Sequence, residues 1–244
     1  MNTEKLVDLL KESKYVVVFT GAGISTLSGI KDFRGKDGLY KQKNADKIFD
    51  IDWFYRDPSI YYTSAKDFLY NMEDVSPSIV HLELARLEEK GIVKAVITQN
   101  IDVLHQKAGS KKVLELHGSL GTHRCTKCDA VLTFDEVVEI VNKDQVPYCS
   151  RCNAVFKPDV VFFGESLPMD VLSDARKEAS KADLMLVLGS TLVVNPAATI
   201  PAFTLQNGGK IVIVNNMETY LNDRAVLVYE DLAEVFNYVS ENLK

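Results

Sequence analysis

The stretch VVVFTGAGISTLSGIKDFR, residues 16–34, decides the fold of this chain. Residues 15–19 are β-branched or aromatic, which is typical of a parallel strand buried on both faces. Gly21 and Gly23 allow a tight turn and a close approach of the backbone to a phosphate, and the helix expected next would direct its amide groups at that anion. The sequence therefore predicts a phosphate-binding turn after the first strand.

This turn departs from the usual dinucleotide fingerprint. Thr26 stands where the pattern wants its third glycine. A carboxylate is expected roughly 20 residues further on, at the end of a second strand, and no strand is predicted there. The pattern argues against an ordinary dehydrogenase and leaves open a glycine turn that binds no ligand.

Composition favours a globular enzyme or binding protein of the cytoplasm. Of the 244 residues, 46% are hydrophobic and 25% are charged, and no apolar run approaches the length of a membrane span. Residues 1–10 predict an amphipathic helix and show no apolar signal region. The net charge of −6 provides no basic face for nonspecific nucleic-acid binding, so we expect no direct nucleic-acid partner and no membrane.

Strand and helix signals alternate along most of the chain. Further strands are predicted at residues 93–98, 113–116, 184–188, 211–214 and 225–228. Helices are predicted at 77–90, with Ser76 as the N-cap and Gly91 ending the helix, and at 170–181, 196–207 and 231–242. This alternation predicts a doubly wound, Rossmann-like α/β fold with a parallel sheet.

The four cysteines have the spacing of a zinc ribbon. Cys125-x2-Cys128 and Cys149-x2-Cys152 are separated by 20 residues and use every cysteine of the chain. Four thiolates close a tetrahedral shell, so the expected single zinc ion would be structural rather than catalytic. Two disulfides or four idle thiols are the alternative.

Two segments interrupt the alternation and predict a smaller inserted domain. Residues 33–77 are rich in aromatic and charged residues, which suits a small helical layer in which most of the aromatics fill a core. Residues 119–158 hold the cysteines. We therefore expect a Rossmann-like domain of residues 1–32, 78–118 and 159–244, with the two segments forming the small domain.

His117 is the candidate for chemistry among the four histidines. It follows the strand predicted at 113–116, and the polar segment 98–102 follows another strand, so both lie at the sheet edge where ligands bind. His81 falls inside a helix and is expected to be structural. His105 and His123 have no context that distinguishes them from surface residues.

Over almost its whole length, the sequence resembles the sirtuins, which are NAD-dependent protein lysine deacylases. The motifs that carry the resemblance are GAGIST (21–26), GIKDFR (29–34), TQNID (98–102), LHG (116–118), the paired CxxC, KPDVVFFGE (157–165), GSTLVVNPA (189–197) and IVIVN (211–215). Lys31 is a departure, because the family usually has proline there.

The resemblance implies that NAD is consumed. Nicotinamide is expelled, the acyl oxygen of an acylated lysine attacks the ribose carbon, and His117 acts as general base on a ribose hydroxyl. The products would be nicotinamide, O-acyl-ADP-ribose and free lysine. Its partners would be acetylated lysine proteins or peptides.

The resemblance also assigns the site residues. With His117, the catalytic residues would be Asn100 and Asp102. The residues assigned to NAD are Gly21, Ala22, Gly23, Thr26, Phe33, Arg34, Gln99, Asn100, Ile101, Asp102, Gly189, Ser190, Thr191 and Asn215. The acyl-lysine would contact Phe33, His117, Val161 and Phe163.

The acyl preference follows from an expected apolar tunnel. Relatives that prefer succinyl or malonyl groups share a Tyr-x-x-Arg motif, and the corresponding positions here are Ala65 and Phe68. A tunnel lined by Phe33, Ala65, Phe68 and Phe163 would leave an acidic acyl group without a partner. We therefore expect acetyl and other neutral acyl groups to be preferred.

Two other functions are compatible with parts of this pattern. A mono-ADP-ribosyltransferase on the same fold would share nicotinamide expulsion but would not need a base at His117. A noncatalytic nucleotide-binding or zinc-ribbon interaction module would have no reason to keep Asn100, Asp102 and His117 together.

Overall fold

The computed structural model describes residues 3–32, 38, 45–71 and 75–244. Within these residues the strands are β1 Val16–Thr20, β2 Val93–Thr98, β3 Val113–Glu115, β4 Gly118–Cys125, β5 Val131–Thr133, β6 Phe156–Val160, β7 Leu184–Leu188, β8 Lys210–Val214 and β9 Leu227–Tyr229. The helices are α1 Glu4–Glu12, α2 Gly23–Thr26, α3 Ala45–Ile48, α4 Ile51–Arg56, α5 Pro58–Ala65, α6 Ile79–Glu89, α7 Leu104–Ala108, α8 Phe134–Val141, α9 Met169–Lys181, α10 Ile200–Gln206 and α11 Leu232–Asn242.

The main sheet is parallel and has the strand order β3-β2-β1-β7-β8-β9. From β1 the chain proceeds outward through β2 and β3, and from β7 it proceeds outward in the other direction through β8 and β9. The crevice between the carboxyl ends of β1 and β7 is therefore a topological switch point, where ligands bind in folds of this kind. The predicted doubly wound α/β fold is confirmed.

Helices cover both faces of this sheet, which explains the continuous apolar strands. Val16 and Val18 of β1 pack in the core formed with α1, α6 and α11. Val17 and Phe19 point to the other side, where they join the core formed with α9 and α10. All five residues of β1 are buried, so the strand has no polar face for a sequence pattern to show.

The small module combines an antiparallel sheet with a helical layer. Its strands have the order β5-β4-β6, and α8 packs beside them. Helices α3, α4 and α5 and a π-helical turn, Lys66–Tyr70, form the layer. Their aromatic side chains share one core with residues of β4, β6 and α8. The predicted helical insertion is thus present in the residues that the structure describes.

Buried hydroxyl groups run through this aromatic core. His123 Nε2 lies 2.8 Å from the Tyr70 hydroxyl, which lies 3.1 Å from the Tyr61 hydroxyl. Tyr62 donates to the Phe156 carbonyl. His123 is completely buried, so its predicted surface position is wrong. The hydroxyl of Tyr70 lets the imidazole enter an apolar core.

Several predicted boundaries also need correction. The helix predicted from residue 77 begins at Ile79, because Ser78 and His81 form the capping box at its start. The segment 196–207 is divided into a 3-10 turn, Ala197–Thr199, followed by α10. The last strand, β9, begins two residues and ends one residue later than predicted. None of the described helices combines the length and apolar character needed to cross a bilayer.

Candidate functional site

A cavity of about 550 Å³ opens at the switch point, between the main sheet and the small module. It collects residues from the carboxyl ends of β1, β2, β7 and β8 and from the segment after β6. The sequence-predicted site residues that line it are Gly21, Ala22, Gly23, Gln99, Asn100, Ile101, His117, Val161, Phe163, Gly189, Ser190, Thr191 and Asn215. Segments far apart in the chain are therefore brought to one space.

Glycines allow the turns after β1 and β7 to touch backbone to backbone. The amide of Gly23 donates to the Gly189 carbonyl at 2.9 Å. A Cβ on Gly23 would lie 2.7 Å from the Gly189 Cα, and Gly189 itself has φ +60°, a conformation that side chains disfavour. The floor of the cavity is thus made of main chain, to which an anionic ligand can come close.

A buried hydrogen-bond network supports the wall formed by Asn100. The Asn100 Nδ2 group donates to the Gly21 carbonyl at 3.2 Å and to Ser25 Oγ at 3.1 Å. Ser25 Oγ in turn donates to Asp102 Oδ2 at 2.6 Å. Asp102 lies behind the wall rather than in the cavity lining, and its other oxygen accepts from the Leu104 amide. Sequence reasoning missed Ser25, although it is part of the GAGIST motif.

His117 presents one nitrogen that is free to accept a proton. Its Nδ1 lies 2.9 Å from the Gln99 carbonyl, which can only accept, so Nδ1 carries the hydrogen and Nε2 keeps its lone pair. Burial lowers the pKa of His117 below its ordinary value, while the hydrogen bond to Gln99 raises it. The ring is therefore neutral near pH 7 and suited to act as a base. The Gln99 side chain donates to Ser190 Oγ at 2.8 Å.

Of the predicted residues that the structure describes, Thr26 and Asp102 do not line the cavity. Thr26 is exposed, and its hydroxyl donates to the Gly23 carbonyl. Phe33 and Arg34 lie outside the described residues. Asp102 lies behind the wall formed by Asn100, where it accepts a hydrogen bond from Ser25.

The expected acyl tunnel is also lined differently. Ala65 is fully buried inside the helical layer and Phe68 packs against the same core, but neither reaches the cavity. Phe49, which sequence reasoning did not select, supplies an apolar wall there together with Ile101 and Phe162. The wall is apolar as predicted and includes the predicted Phe163, whereas Ala65 and Phe68 were assigned to it wrongly. Phe33, the remaining predicted residue, lies outside the described residues.

The cysteines form the predicted metal site away from the cavity. All four are free, and their Sγ atoms lie within 4.8 Å of one another. In a tetrahedral shell with Zn–S bonds of ~2.3 Å the sulfurs are roughly 3.8 Å apart. The distances of 3.3 Å for Cys125–Cys152 and 3.7 Å for Cys128–Cys149 are near this value. The donor set therefore fits one structural zinc ion, and four sulfur ligands leave no position for a substrate.

Two further histidines lie together in the main domain. His81 is buried at the N-terminus of α6, as expected from its position in a helix. His105 is only 1% exposed, so its predicted surface position is wrong. Its Nε2 lies 3.0 Å from Thr20 Oγ1, directly below the end of β1. Helix α7, which holds His105, has only five residues. It is too short for a hydrophobic period to show which of its side chains face the core.

Comparison with known proteins gives matches over nearly the whole chain. The model of the Sir2 family matches residues 21–196. The chain is 49% identical over 242 residues to an NAD-dependent protein deacetylase of Thermotoga maritima, covering 99% of this chain and 98% of that protein.

Solved structures of Sir2 proteins are similar throughout. One, with a deacetylated p53 peptide and 3′-O-acetyl ADP-ribose, has a TM-score of 0.94 and 49% identity, and the match covers 99% of this chain and 98% of the other. Another, Sir2Tm bound to a propionylated peptide, has a TM-score of 0.91 and 47% identity with the same coverage.

Proposed function

The chain belongs to the Sir2 family, and from this membership we propose that it is an NAD-dependent protein lysine deacetylase. The observation that carries the proposal is the pose of His117. Its proton-accepting Nε2 belongs to a ring that lines the switch-point cavity together with Asn100. A deacetylase needs a base at this place, whereas simple nucleotide binding does not.

The cavity has separate polar regions for the parts of NAD. Ala22 and Gly23 offer the main-chain turn to the pyrophosphate. Ser190, Thr191 and Asn215 line the end that suits adenosine. When bound, NAD supplies the ribose carbon that accepts the acyl oxygen after nicotinamide leaves.

The nicotinamide end is formed by the segment after β2. Asn100 and Ile101 line the cavity there, while Asp102 fixes Ser25, which receives a hydrogen bond from Asn100. Asn100, the Gly21 carbonyl, Ser25 and Asp102 form one connected hydrogen-bond network. This network holds the amide of Asn100 in a single orientation. The network therefore orients the nicotinamide for expulsion. Phe33 and Arg34 keep their proposed roles in covering the ribose and binding the pyrophosphate.

His117 then performs the proton transfer. Its Nε2 takes a proton from a ribose hydroxyl, which makes that oxygen nucleophilic toward the acyl carbon. The Gln99 carbonyl holds the Nδ1 proton and stabilises the imidazolium that forms. The lysine amine then leaves with a proton, and one water adds to the acyl carbon as its bond to the oxygen on the first ribose carbon breaks, which leaves the acyl group on the attacking ribose oxygen. A mono-ADP-ribosyltransferase has no such step.

The acetylated segment is held along the mouth of the cavity. The segment after β6 lies at this mouth, where the Val161 amide donates to the His117 carbonyl at 2.9 Å. Phe163, Val193 and Met169 line the cavity and leave 48%, 56% and 67% of their surface exposed. Such exposed apolar side chains suit an extended peptide that binds mainly through its backbone. The protein therefore selects acyl-lysine more strongly than the surrounding sequence.

The zinc ion has a structural part in this function. We assign residues 119–158 to the zinc module and 33–77 to the helical insertion, and residues 1–32, 78–118 and 159–244 to the NAD-binding domain. The metal fixes the hairpins that carry Cys125 and Cys149, and β4 links this module directly to His117. We place the protein in the cytoplasm, where reducing conditions keep the thiols available for metal. The net charge of −6 supports a protein partner rather than nucleic acid.

One incubation tests this function. The protein is mixed with an acetyl-lysine peptide and NAD, and the peptide and sugar products are weighed by mass spectrometry. We expect free lysine peptide, nicotinamide and O-acetyl-ADP-ribose in equal amounts. A peptide that keeps its acetyl group and gains ADP-ribose would instead show a transferase.

A further inference from the structure

Two buried histidines lie behind the site, and no step of the reaction uses them. His81 and His105 are 0% and 1% exposed. Their ring centroids are 4.8 Å apart, with the rings inclined at 62° so that one meets the other edge-on. Burial is unfavourable for an imidazole ring unless its nitrogens have hydrogen-bond partners.

The hydrogen bonds of His81 fix its tautomer. The backbone amide of Ser78 donates to His81 Nδ1 at 3.2 Å, so Nδ1 is an acceptor. Burial lowers the pKa of His81 to about 4, so the ring is neutral near pH 7. A neutral ring that accepts at Nδ1 carries its hydrogen on Nε2.

His105 has the opposite arrangement. The hydroxyl of Thr20 donates to Thr98 Oγ1 at 2.8 Å, so it must accept from His105 Nε2, which lies 3.0 Å away. Burial lowers the pKa of His105 to about 3, so this ring is also neutral. Its Nδ1 is therefore left with a lone pair.

The two remaining nitrogens are complementary. Neither His81 Nε2 nor His105 Nδ1 has a hydrogen-bond partner among the described residues. One is a donor and the other an acceptor, and they belong to two rings in contact. A hydrogen bond from His81 Nε2 to His105 Nδ1 would link the N-terminal cap of α6 to the end of β1.

The hydrogen bonds of His105 lead through Thr20 to the peptide groups that flank Gln99. Thr98 Oγ1, which receives the hydrogen bond from Thr20, also accepts from the Asn100 amide at 3.0 Å. The Gln99 amide donates to the Thr20 carbonyl at 3.0 Å. The Gln99 carbonyl between these two anchors is the group that accepts from His117 Nδ1.

We propose that His105, supported by His81, is a positioning residue that fixes the Gln99 carbonyl and through it the hydrogen on His117 Nδ1. The proposal rests on the proposed function, because it assigns His105 a part in holding the base of that reaction. It concerns the orientation of His117 rather than direct contact with substrate, since neither His81 nor His105 lines the cavity.

Nitrogen NMR of histidine-labelled protein tests this without turnover. At pH 7 the wild-type spectrum should show His117 with its hydrogen on Nδ1. Thr20→Val, which replaces the hydroxyl with a methyl group in a strand, and His105→Leu should each give a mixture of the two tautomers. His105→Gln places an amide donor near the position of Nε2 and should keep the wild-type signal. His123→Leu removes an equally buried histidine from the other core and serves as the matched control.

Kinetics provide the second readout. His105→Leu should lower kcat about tenfold through loss of orientation, with KM for NAD changed less than about twofold, and His105→Gln should recover most of the loss. Should His105→Leu fail to fold, Thr20→Val carries the same test with an isosteric side chain.

The outcomes separate this proposal from the proposed function. A folded Thr20→Val or His105→Leu protein with the wild-type His117 tautomer and kcat overturns the positioning role. So does an equal loss of kcat in His123→Leu, since the effect would then follow any loss of a buried histidine. If the tautomer responds as expected but wild-type protein transfers no acyl group, the positioning role stands and the proposed function fails.

Discussion

Strand β4 and the residue before it place two histidines six positions apart in the chain in opposite surroundings. His117 lies at the cavity end, with Nδ1 held by the Gln99 carbonyl and the ring forming part of the cavity lining. His123 lies in the aromatic core of the small module, with Nε2 occupied by the Tyr70 hydroxyl. Burial lowers the pKa of both, to about 3 for His123. What suits His117 to the proposed role of base is therefore not its charge state but its place in the cavity lining.

The same contrast applies to the regions around them. The cavity is built from main-chain turns and a connected polar network, which hold reacting groups without filling the space. The small module is built from packed aromatics and four metal-binding thiols, which fill space and leave no open ligand position. We assign the chemistry to the first region and the support of one wall of the cleft to the second. The predictions that follow test this division.

Loss of the metal should have the largest effect. Cys149→Ser removes one of four zinc ligands, and structural zinc contributes ~10–16 kcal/mol of binding free energy to small zinc domains. We expect loss of zinc by metal analysis and loss of deacetylation, with the helical signal of the main domain retained in circular dichroism. Ser150→Ala, at the exposed neighbouring residue, is the control. A zinc-free Cys149→Ser protein with full activity would mean that the small module does not hold the cleft.

The acyl preference tests the cavity wall. Among the described residues that line the cavity, the carboxylates Asp32 and Glu165 are present, and there is no lysine or arginine. An acidic acyl chain would be buried without a cation, at a cost of several kcal/mol. We expect kcat/KM for succinyl-lysine to lie on the order of 100-fold below that for acetyl-lysine in the same peptide. Butyryl-lysine, which has the same chain length without the charge, is the control and should be removed well. Equal removal of succinyl would show that a cation reaches the acyl group.

The pH dependence tests the state of His117. The neutral ring is the active form, and burial lowers its pKa below the ordinary 6.5. The midpoint of the fall in kcat/KM as the pH is lowered should therefore lie below pH 6.5. Below the shifted pKa it should drop about tenfold per pH unit. A pH–rate profile whose midpoint lies at or above pH 6.5 would contradict this environment for the ring.

The smallest effect is expected from the aromatic core. Tyr70→Phe removes the hydroxyl that bonds to His123 and Tyr61 and leaves buried nitrogen without its partner. We expect the free energy of unfolding to fall by about 1–3 kcal/mol in denaturant titration, with kcat unchanged at temperatures where the protein is folded. Tyr55→Phe, at a position that is 61% exposed, should change neither quantity. A lower kcat in folded Tyr70→Phe would show that the aromatic core of the small module affects the reaction in the cavity.

The sequence was sufficient for features that depend on local residue type. Continuous apolar runs predicted buried strands such as β7, the glycines predicted the turn after β1, and cysteine spacing predicted the metal site. Features that depend on distant packing were not predicted. His105 and His123 look polar in the sequence, and only Thr20 and Tyr70, which are far away in the chain, make their burial possible.

The site itself was predicted in part. Segments that end strands were recognised as converging, because parallel strands present their carboxyl ends at one edge. The wall formed by Phe49 was missed and Ala65 was chosen instead, since the insertion contains many aromatics and no period that shows which of them faces the cavity. Ser25 was missed because a small hydroxyl residue in a turn gives no sign of a buried carboxylate partner.

Acyl transfer by His117→Ala tests the central claim most directly. The variant and the wild-type protein are mixed with acetyl-lysine peptide and NAD, and NAD binding, nicotinamide release and O-acetyl-ADP-ribose are measured separately. We predict that the variant binds NAD with nearly unchanged affinity while acyl transfer falls by about 10²–10⁴-fold, the usual loss on removing a general base. Acyl transfer at the wild-type rate would contradict the account.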